Sequence, residues 1–223
     1  MFFGRTSETR ILIERLRAEA FVLVAGDSGV GKSSLCRAGV APQILAGALD
    51  RDRTWETINL IPGRRPLQSL IAALATSLDF HEASLSSLIT TKLDSVGWFI
   101  RKKLGNTTGR LLLIDQLEEM VTIADPEEAR LASAVLAQFA IGVPGMRTIA
   151  TVRGDFLTRV AQLPALGDEL MRAIYILRPL SPEALREAIT GPAATQGVDF
   201  VLNVIDELVD AGREGSLPLL QFA

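Results

Sequence analysis

Apolar positions along this chain form two kinds of pattern. Five short, nearly continuous apolar runs predict buried strands, at residues 21–25, 54–61, 110–114, 146–152 and 173–177. The segments between the strands carry apolar residues at helical spacing, notably at residues 9–18, 32–40, 66–78, 84–104 and 126–141. Because helices separate successive strands, we expect parallel crossovers. The pattern therefore predicts an α/β fold, a three-layer sandwich in which helices cover both faces of a mostly parallel five-stranded sheet.

The pattern changes after the fifth strand. Ser181 and Pro182 form a typical helix start, and we expect this helix to end near Gly191 and Pro192. Residues 200–211 again have helical spacing, and no further strand is predicted. We therefore divide the chain into an α/β core at residues 1–177 and the start of a small helical lid at residues 178–223. The last seven residues, LPLLQFA, are apolar and lack a stop signal, so we expect the lid to continue in a longer multidomain protein.

Composition narrows the classes of partner and compartment. Apolar residues make up 48% of the 223 positions and charged residues 22%, as in ordinary globular proteins. The net charge is −3 without a block of like charge, so we do not expect nucleic acid or an anionic membrane as the main partner. The single cysteine, Cys36, excludes an internal disulfide and favours a reducing, cytoplasmic compartment, with the thiol packed in the core. No apolar run approaches the ~18 residues of a membrane span.

The strongest chemical signal is a glycine-rich turn between the first predicted strand and the next helix. Residues 26–33 read GDSGVGKS, which fits GxxxxGK(S/T) at every fixed position. The glycines let the backbone turn tightly and point N–H groups inward, and the helix N-terminus adds positive potential. In this Walker A motif, Lys32 is predicted to reach the β- and γ-phosphates of a nucleoside triphosphate, and Ser33 to ligate Mg²⁺. The predicted phosphate-site residues are Gly26, Asp27, Ser28, Gly29, Val30, Gly31, Lys32, Ser33 and Ser34.

A carboxylate ends the third predicted strand. Asp115 follows the apolar run LLLI in a Walker B pattern, and we expect it to hold Mg²⁺ opposite Ser33, directly or through a water. Many hydrolytic P-loop ATPases place a catalytic glutamate next, but this chain has Gln116, whose amide can orient water but cannot accept its proton. Glu118 and Glu119 are the candidate bases, unless they only cap and solvate the following segment. We therefore expect slow hydrolysis.

An arginine follows the fourth predicted strand. Ligands of open parallel sheets bind at the carboxyl ends of the strands, where Arg153 is expected. A guanidinium at this position can pair with a γ-phosphate and so distinguish ATP from ADP. The alternative is an ion pair with Asp155 or Glu169.

Five segments together resemble one family. They are FFGR with Glu8, GDSGVGKSSLCRAGVAPQI, LLLIDQLEEM, TVRGDF, and the run from YILRPLSPEALREAI to LPLLQFA. In this order they are similar to the novel-STAND NTPase domain, a P-loop NTPase of the signal-transduction ATPases with numerous domains. The ordered set spans nearly the whole chain and is more specific than the Walker A motif alone.

The resemblance implies both a ligand and a role. The ligand would be ATP or ADP with Mg²⁺, with Phe3, Gly4 and Arg5 near the adenine and Pro218 covering the base from the lid. The role would be that of a signalling switch, in which the ATP or ADP state controls attached effector or sensor domains. The family also implies self-association on activation.

Two other functions remain open from the sequence. A P-loop small-molecule kinase would need lid arginines, and the candidates Arg159, Arg172 and Arg178 are dispersed. An ATP-driven remodeller of nucleic acid or protein would turn over rapidly when its client stimulates it. Guanine is not expected as the base, because TKLD at residues 91–94 precedes the Walker B strand and falls within a helical pattern.

Overall fold

A parallel sheet forms the centre of the computed structural model, which describes residues 2–198, 200 and 202–213. Its strands are β1 (Phe21–Gly26), β2 (Thr54–Leu60), β3 (Thr108–Ile114), β4 (Met146–Arg153) and β5 (Ile174–Ile176). All neighbouring strands are parallel, in the order β2-β3-β4-β1-β5. The predicted α/β fold with a five-stranded sheet is confirmed, and every strand lies within about two residues of its predicted bounds.

Helices precede β1, occupy the connections between the strands and follow β5. Their bounds are α1 (Thr6–Ala18), α2 (Lys32–Ser34), α3 (Ala41–Leu45), α4 (Pro66–Leu78), α5 (Glu82–Thr91), α6 (Val96–Leu104), α7 (Pro126–Gly142), α8 (Leu157–Val160), α9 (Gly167–Arg172), α10 (Pro182–Thr195) and α11 (Leu202–Arg213). A π-helical turn, Leu35–Val40, joins α2 to α3 in one helical segment. Single 3-10 turns are formed by Leu93–Ser95, Leu117–Val121 and Gly154–Phe156.

Three helix predictions need correction. The helix predicted at residues 32–40 contains the π-helical turn and continues to Leu45. The helix predicted at residues 84–104 is two helices, because the backbone of Lys92 leaves the helical region with φ −146° and ψ 53°. Helix α10 does not end at Pro192 but continues to Thr195. Pro192 lies in its last turn, where one missing N–H does not end the helix.

Alternating residues of the strands supply two hydrophobic cores on opposite faces of the sheet. Phe21, Leu23 and Ala25 of β1 belong to the first core, whereas Val22 and Val24 belong to the second. Helices α4 to α9 contribute to the first core, and α1 with the α2–α3 segment contributes to the second. This arrangement is the predicted three-layer sandwich.

The cysteine belongs to the second core, as predicted. Cys36 is buried, and burial raises the pKa of its thiol to about 12, with a smaller contribution from the negative charge of Asp115. The thiol is therefore protonated at neutral pH and packs as a small apolar side chain. No helix in the described part of the chain combines the length and apolar character of a membrane span.

The two C-terminal helices, α10 and α11, form a small core of their own from Leu185, Ile205 and Val209. This pair begins after β5, in the region predicted as a lid, and the boundary at residue 177 remains a prediction. The N-terminal segment packs tightly on α10. Gly4 has a left-handed backbone, with φ +75°, and a methyl group at its Cα would overlap the carbonyl oxygen of Ala184.

This close approach predicts that Gly4→Ala destabilises the protein. The added methyl group introduces both left-handed strain and overlap with α10. Gly63→Ala is the matched control, because Gly63 has φ +66° but nothing lies within 4 Å of the position that its added methyl group would take. In urea unfolding, we expect Gly4→Ala to lose about 1–3 kcal/mol more of the free energy of unfolding than Gly63→Ala. If both variants lost the same free energy of unfolding, the close contact between Gly4 and α10 would not contribute to stability.

Candidate nucleotide-binding site

A cavity of about 1080 Å³ opens at the carboxyl edge of the sheet. The glycine-rich turn and the ends of β3 and β4 line one side, and the N-terminal segment with α10 and α11 lines the other. Most of the predicted site residues line this cavity: Phe3, Arg5, Ser28, Gly29, Val30, Gly31, Lys32, Ser33, Ser34, Asp115, Glu118, Glu119 and Arg153. Gly4 and Asp27 adjoin lining residues in the chain, Gly26 directly precedes Asp27, and Pro218 lies outside the described residues.

The backbone of the glycine-rich turn requires its glycines. Gly29 and Gly31 have φ values of +79° and +95°, in the left-handed region that other residues adopt only with strain. At Gly26, a side chain would come within 2.7 Å of the Leu177 carbonyl oxygen, where the chain leaves β5. The turn then leads directly into α2, which begins at Lys32. The predicted strand–turn–helix context of the motif is therefore present.

The Lys32 ammonium folds back on the turn. Its Nζ donates to the carbonyl oxygens of Gly26 at 2.8 Å and Asp27 at 2.7 Å, and the residue is 9% exposed. Burial lowers the pKa of Lys32, while the negative charges of Glu118 and Asp27 act in the opposite direction. The ammonium is therefore held by two backbone carbonyl oxygens beside the cavity that Lys32 lines.

Ser33 and Asp115 meet, as the two motifs predict. The Ser33 hydroxyl donates to Asp115 Oδ1 over 2.6 Å. Adjacent ligand oxygens around an octahedral Mg²⁺ are about 3.0 Å apart when each Mg–O distance is about 2.1 Å, so these two hard oxygen atoms could hold the ion if they moved slightly apart. Among residues 2–198, 200 and 202–213, no three acidic, histidine or cysteine side chains gather into a metal cage. Mg²⁺ would therefore keep water and phosphate oxygens as its other ligands, which is its usual preference.

The chain turns sharply after the Walker B aspartate. Gln116 has φ +59°, a left-handed conformation uncommon for a non-glycine residue, and the 3-10 turn Leu117–Val121 follows. The Gln116 N–H donates to Thr151 Oγ1 at 3.0 Å, and its side chain is exposed at the cavity. The amide that replaces the expected glutamate therefore faces the space where a nucleotide would bind.

This turn separates the two candidate bases. Glu118 is 9% exposed, accepts the Arg153 N–H at 3.3 Å, and is the strongest electrostatic partner of Lys32. Glu119 instead accepts the N–H of Gly63 at 2.8 Å, in the loop that follows β2. Sequence reasoning could not choose between the two. The geometry favours Glu118 as the carboxylate on the phosphate side.

Arg153 lies beside the glycine-rich turn, because the parallel register pairs it with Gly26. Its guanidinium forms the predicted alternative ion pair with Asp155, at 2.7 Å and 3.1 Å, and lies 5.2 Å from the Phe156 ring centroid. The Arg153 side chain is 46% exposed and lines the cavity. Glu169, the other predicted partner, pairs with Arg172.

Arg5 joins three segments. It is 4% exposed, and its guanidinium donates to Val30 O at 3.0 Å, Arg178 O at 2.9 Å and Glu8 Oε1 at 2.6 Å. The N-terminal segment is thereby bonded both to the glycine-rich turn and to the chain that leads into α10. Among the site residues predicted from the resemblance, Arg5 therefore has a clear structural role as well as a position at the cavity.

Two site residues were missed from the sequence. Thr151 donates to Asp115 Oδ1 at 2.6 Å, and Arg37 donates to Asp115 Oδ2 at 2.9 Å. Each had a signal. Thr151 is a hydroxyl within an apolar strand, two residues before Arg153, and Arg37 follows Ser33 by four residues, which puts both on one helix face.

Comparison with known proteins agrees with this geometry. The family model of novel STAND NTPase 1 matches residues 1–223. No curated protein sequence gives a significant match. Among solved structures, the chain is similar to the Walker-type ATPase PABY2304 of Pyrococcus abyssi, with a TM-score of 0.60 and 18% identity over 98% of this chain and 70% of that one.

Two further proteins of known structure also share the fold. One is the ORC1 protein of Aeropyrum pernix in complex with DNA, with a TM-score of 0.60 and 17% identity over 87% of this chain and 50% of that one. The other is domain III of the Thermotoga maritima replication initiation protein DnaA, with a TM-score of 0.53 and 12% identity over 92% of this chain and 75% of that one. At these identities the likeness shows the fold alone. The chain spans about half of the ORC1 protein. With the family match over its whole length, this chain belongs to the novel STAND NTPase 1 family.

Proposed function

We propose that the protein is an ATP-dependent switch: it binds ATP or ADP with Mg²⁺, hydrolyses ATP slowly, and moves α10 and α11 relative to the core according to the nucleotide. The observation that carries this proposal is the single cavity lined by both the glycine-rich turn and α10. A ligand that contacts both sides binds more tightly when they are close, so its binding shifts the population towards the closed arrangement. Control of attached domains and self-association are the output implied by the family.

The polar end of the cavity supplies contacts to the phosphates. Lys32 would pair with the β- and γ-phosphates, and Ser33 and Asp115 would hold Mg²⁺, which neutralises phosphate charge when bound. Arg153 can leave Asp155 for the γ-phosphate, because both side chains are about half exposed. Only ATP offers that phosphate. The difference in free energy between the ATP and ADP states would arise from this contact.

The other end of the cavity suits adenine. Apolar side chains line it from the N-terminal segment, from α10 and from the adjoining chain, including Phe2, Phe3, Leu185, Ile189 and Pro192. Among the described residues at this end, none carries a carboxylate or a carboxamide that could accept the N–H groups of guanine. The TKLD sequence at residues 91–94 lies at the end of α5 and does not line the cavity. These features support an adenine nucleotide.

The side chains near the γ-phosphate position support slow rather than rapid hydrolysis. Gln116 occupies the position directly after Asp115, and its carboxamide cannot accept a proton from water. Glu118 is the remaining base candidate, but its negative charge also stabilises the Lys32 ammonium, and one of its oxygens accepts the Arg153 N–H. A base held in this way would activate water less readily than a free glutamate directly after the aspartate.

The competing functions have less support. None of the three dispersed arginines that a small-molecule kinase would use, Arg159, Arg172 and Arg178, is among the described residues that line the cavity. Arg159 donates to the Val121 carbonyl oxygen, and Arg172 pairs with Glu169. The net charge of −3 argues against nucleic-acid remodelling, although some proteins of similar fold, among them the ORC1 protein of Aeropyrum pernix, were determined in complex with DNA.

Nucleotide binding and turnover test the proposed function. In calorimetric titrations with Mg²⁺, we expect ATP and ADP to bind at least about tenfold more tightly than GTP, the equivalent of one lost hydrogen bond. We expect single-turnover hydrolysis of ATP well below about 1 s⁻¹, and nucleotide-dependent hydrogen exchange in α10. Tight GTP binding, phosphoryl transfer to a small acceptor, or rapid turnover stimulated by DNA would contradict the switch.

A further inference from the structure

The carboxylate of Asp115 has a partner on both oxygens. Oδ1 accepts the hydroxyl groups of Ser33 and Thr151, each at 2.6 Å, and Oδ2 accepts Arg37 Nη2 at 2.9 Å. The Asp115 side chain is only 11% exposed. The guanidinium of Arg37 is therefore the cation in direct contact with this carboxylate, whose other contacts are neutral hydroxyl groups, while the Lys32 ammonium acts on it at longer range.

Arg37 contacts Asp115 but is not itself among the described residues that line the cavity. It lies in the π-helical turn Leu35–Val40, one helical turn after Ser33. Short π-helical turns within α-helices occur often at functional sites. The Arg37 side chain is 52% exposed. Its guanidinium can therefore swing into solvent without crossing the space for a nucleotide.

Mg²⁺ needs the same carboxylate. The ion would take oxygen ligands at about 2.1 Å, so the Ser33 hydroxyl must turn its proton away from Asp115 and offer a lone pair. A guanidinium bound to the other oxygen of Asp115 reduces the attraction of that carboxylate for a dication and repels the ion itself. Pairing with Arg37 and coordination of Mg²⁺ are thus in competition.

We propose that Arg37 is a built-in competitor of Mg²⁺ at Asp115. Without the ion, Arg37 holds the carboxylate in place beside Ser33 and Thr151. When Mg²⁺ arrives with a nucleotide, Arg37 leaves for solvent. The consequence is that a higher concentration of Mg²⁺ is needed to occupy the site, so that Mg²⁺ binds together with a nucleotide and not alone. This inference rests on the proposed nucleotide function of the same site.

The test is the dependence of ADP affinity on free Mg²⁺ in the full chain, measured by calorimetry, together with ADP affinity in excess EDTA. We expect Arg37→Gln to lower the half-saturating Mg²⁺ concentration about three- to tenfold, the size expected for a partly exposed ion pair. Arg37→Lys should lower it about twofold, because an ammonium pairs less well with a carboxylate. ADP affinity in EDTA should not change, since Arg37 is not among the described residues that line the cavity.

Arg130→Gln is the matched control. Arg130 also pairs with a carboxylate, Glu127 at 2.6 Å, its side chain is 53% exposed, and it lies on α7. We expect its half-saturating Mg²⁺ to equal that of the wild type. Raising the salt to about 0.5 M should shrink the difference between wild type and Arg37→Gln, because added salt screens an exposed charge pair. A packing role for Arg37 would not respond in this way.

The outcomes separate the two proposals. An unchanged or higher Mg²⁺ requirement in Arg37→Gln overturns the competition and makes Arg37 an orienting partner of Asp115. Weaker binding of ADP in EDTA overturns it by making Arg37 a nucleotide contact. If Arg37→Gln does not fold, Arg37→Lys decides the question by the same comparison. A wild-type chain that binds no adenine nucleotide in Mg²⁺ or EDTA contradicts the proposed function itself.

Discussion

Lys32→Ala is expected to weaken ATP binding about 100-fold or more, because two charge-assisted hydrogen bonds of about 1.5–3 kcal/mol each are lost. The fold should survive. In the free protein, the Lys32 ammonium is 9% exposed and donates only to the Gly26 and Asp27 carbonyl oxygens of the turn. Removing it leaves two acceptors that water entering from the cavity can satisfy. Calorimetry with Mg²⁺-ATP and a thermal unfolding curve measure the two effects.

Lys103→Ala is the control for this substitution. Lys103 also donates to a backbone carbonyl oxygen, that of Asp79 at 3.1 Å, but it lies at the end of α6 and outside the described lining of the cavity. We expect its ATP affinity to match that of the wild type. An unchanged affinity in Lys32→Ala would refute the phosphate site, whereas an equal loss in both variants would indicate a general effect of charge.

Glu118→Gln is expected to slow single-turnover hydrolysis of ATP about 10²- to 10³-fold, the usual contribution of a general base. ATP affinity should stay within about threefold, because the glutamine oxygen still accepts the Arg153 N–H and only one long-range charge is lost. Release of labelled γ-phosphate over hours gives the rate, and calorimetry gives the affinity.

Glu119→Gln is the natural control, because it is adjacent in the chain and carries the same change. Its carboxylate accepts the Gly63 N–H, and the carboxamide oxygen can keep this bond, so the rate should fall less than about threefold. A larger loss in Glu119→Gln than in Glu118→Gln would reverse the assignment of the base. No loss in either variant would mean that both residues only support the turn.

Much of the fold could be predicted because its signals are local. A buried strand such as β1 is a continuous apolar run, and the glycines of the turn mark a backbone that only glycine adopts without strain. The helix errors have local causes that apolar spacing does not report. The backbone break at Lys92 and the π-helical turn Leu35–Val40 leave the pattern of apolar positions almost unchanged.

Much of the site geometry depends on pairs that are far apart in the sequence. Strand β4 lies between β1 and β3, so that Thr151 can bond to Asp115 and Arg153 can lie beside Gly26. Strand order follows from how the helices cross the sheet, and apolar spacing does not determine it. A sequence pattern could therefore place Asp115 and Arg153 at one edge and suggest Ser33 and Asp155 as their partners. It could not predict that Thr151 and Arg37 also contact Asp115.

The sequence by itself determined the parallel α/β fold, the glycine-rich turn with Lys32 and Ser33, and the family, because each rests on spacing within a continuous segment. The tertiary structure decided which carboxylate interacts most strongly with Lys32, which guanidinium pairs with Asp115, and which helices line the cavity. The left-handed backbone of Gln116 turns Glu118 and Glu119 towards different neighbours. These contacts depend on backbone angles and on packing between segments that are distant in the sequence, so they cannot be predicted from the order of residues along the chain.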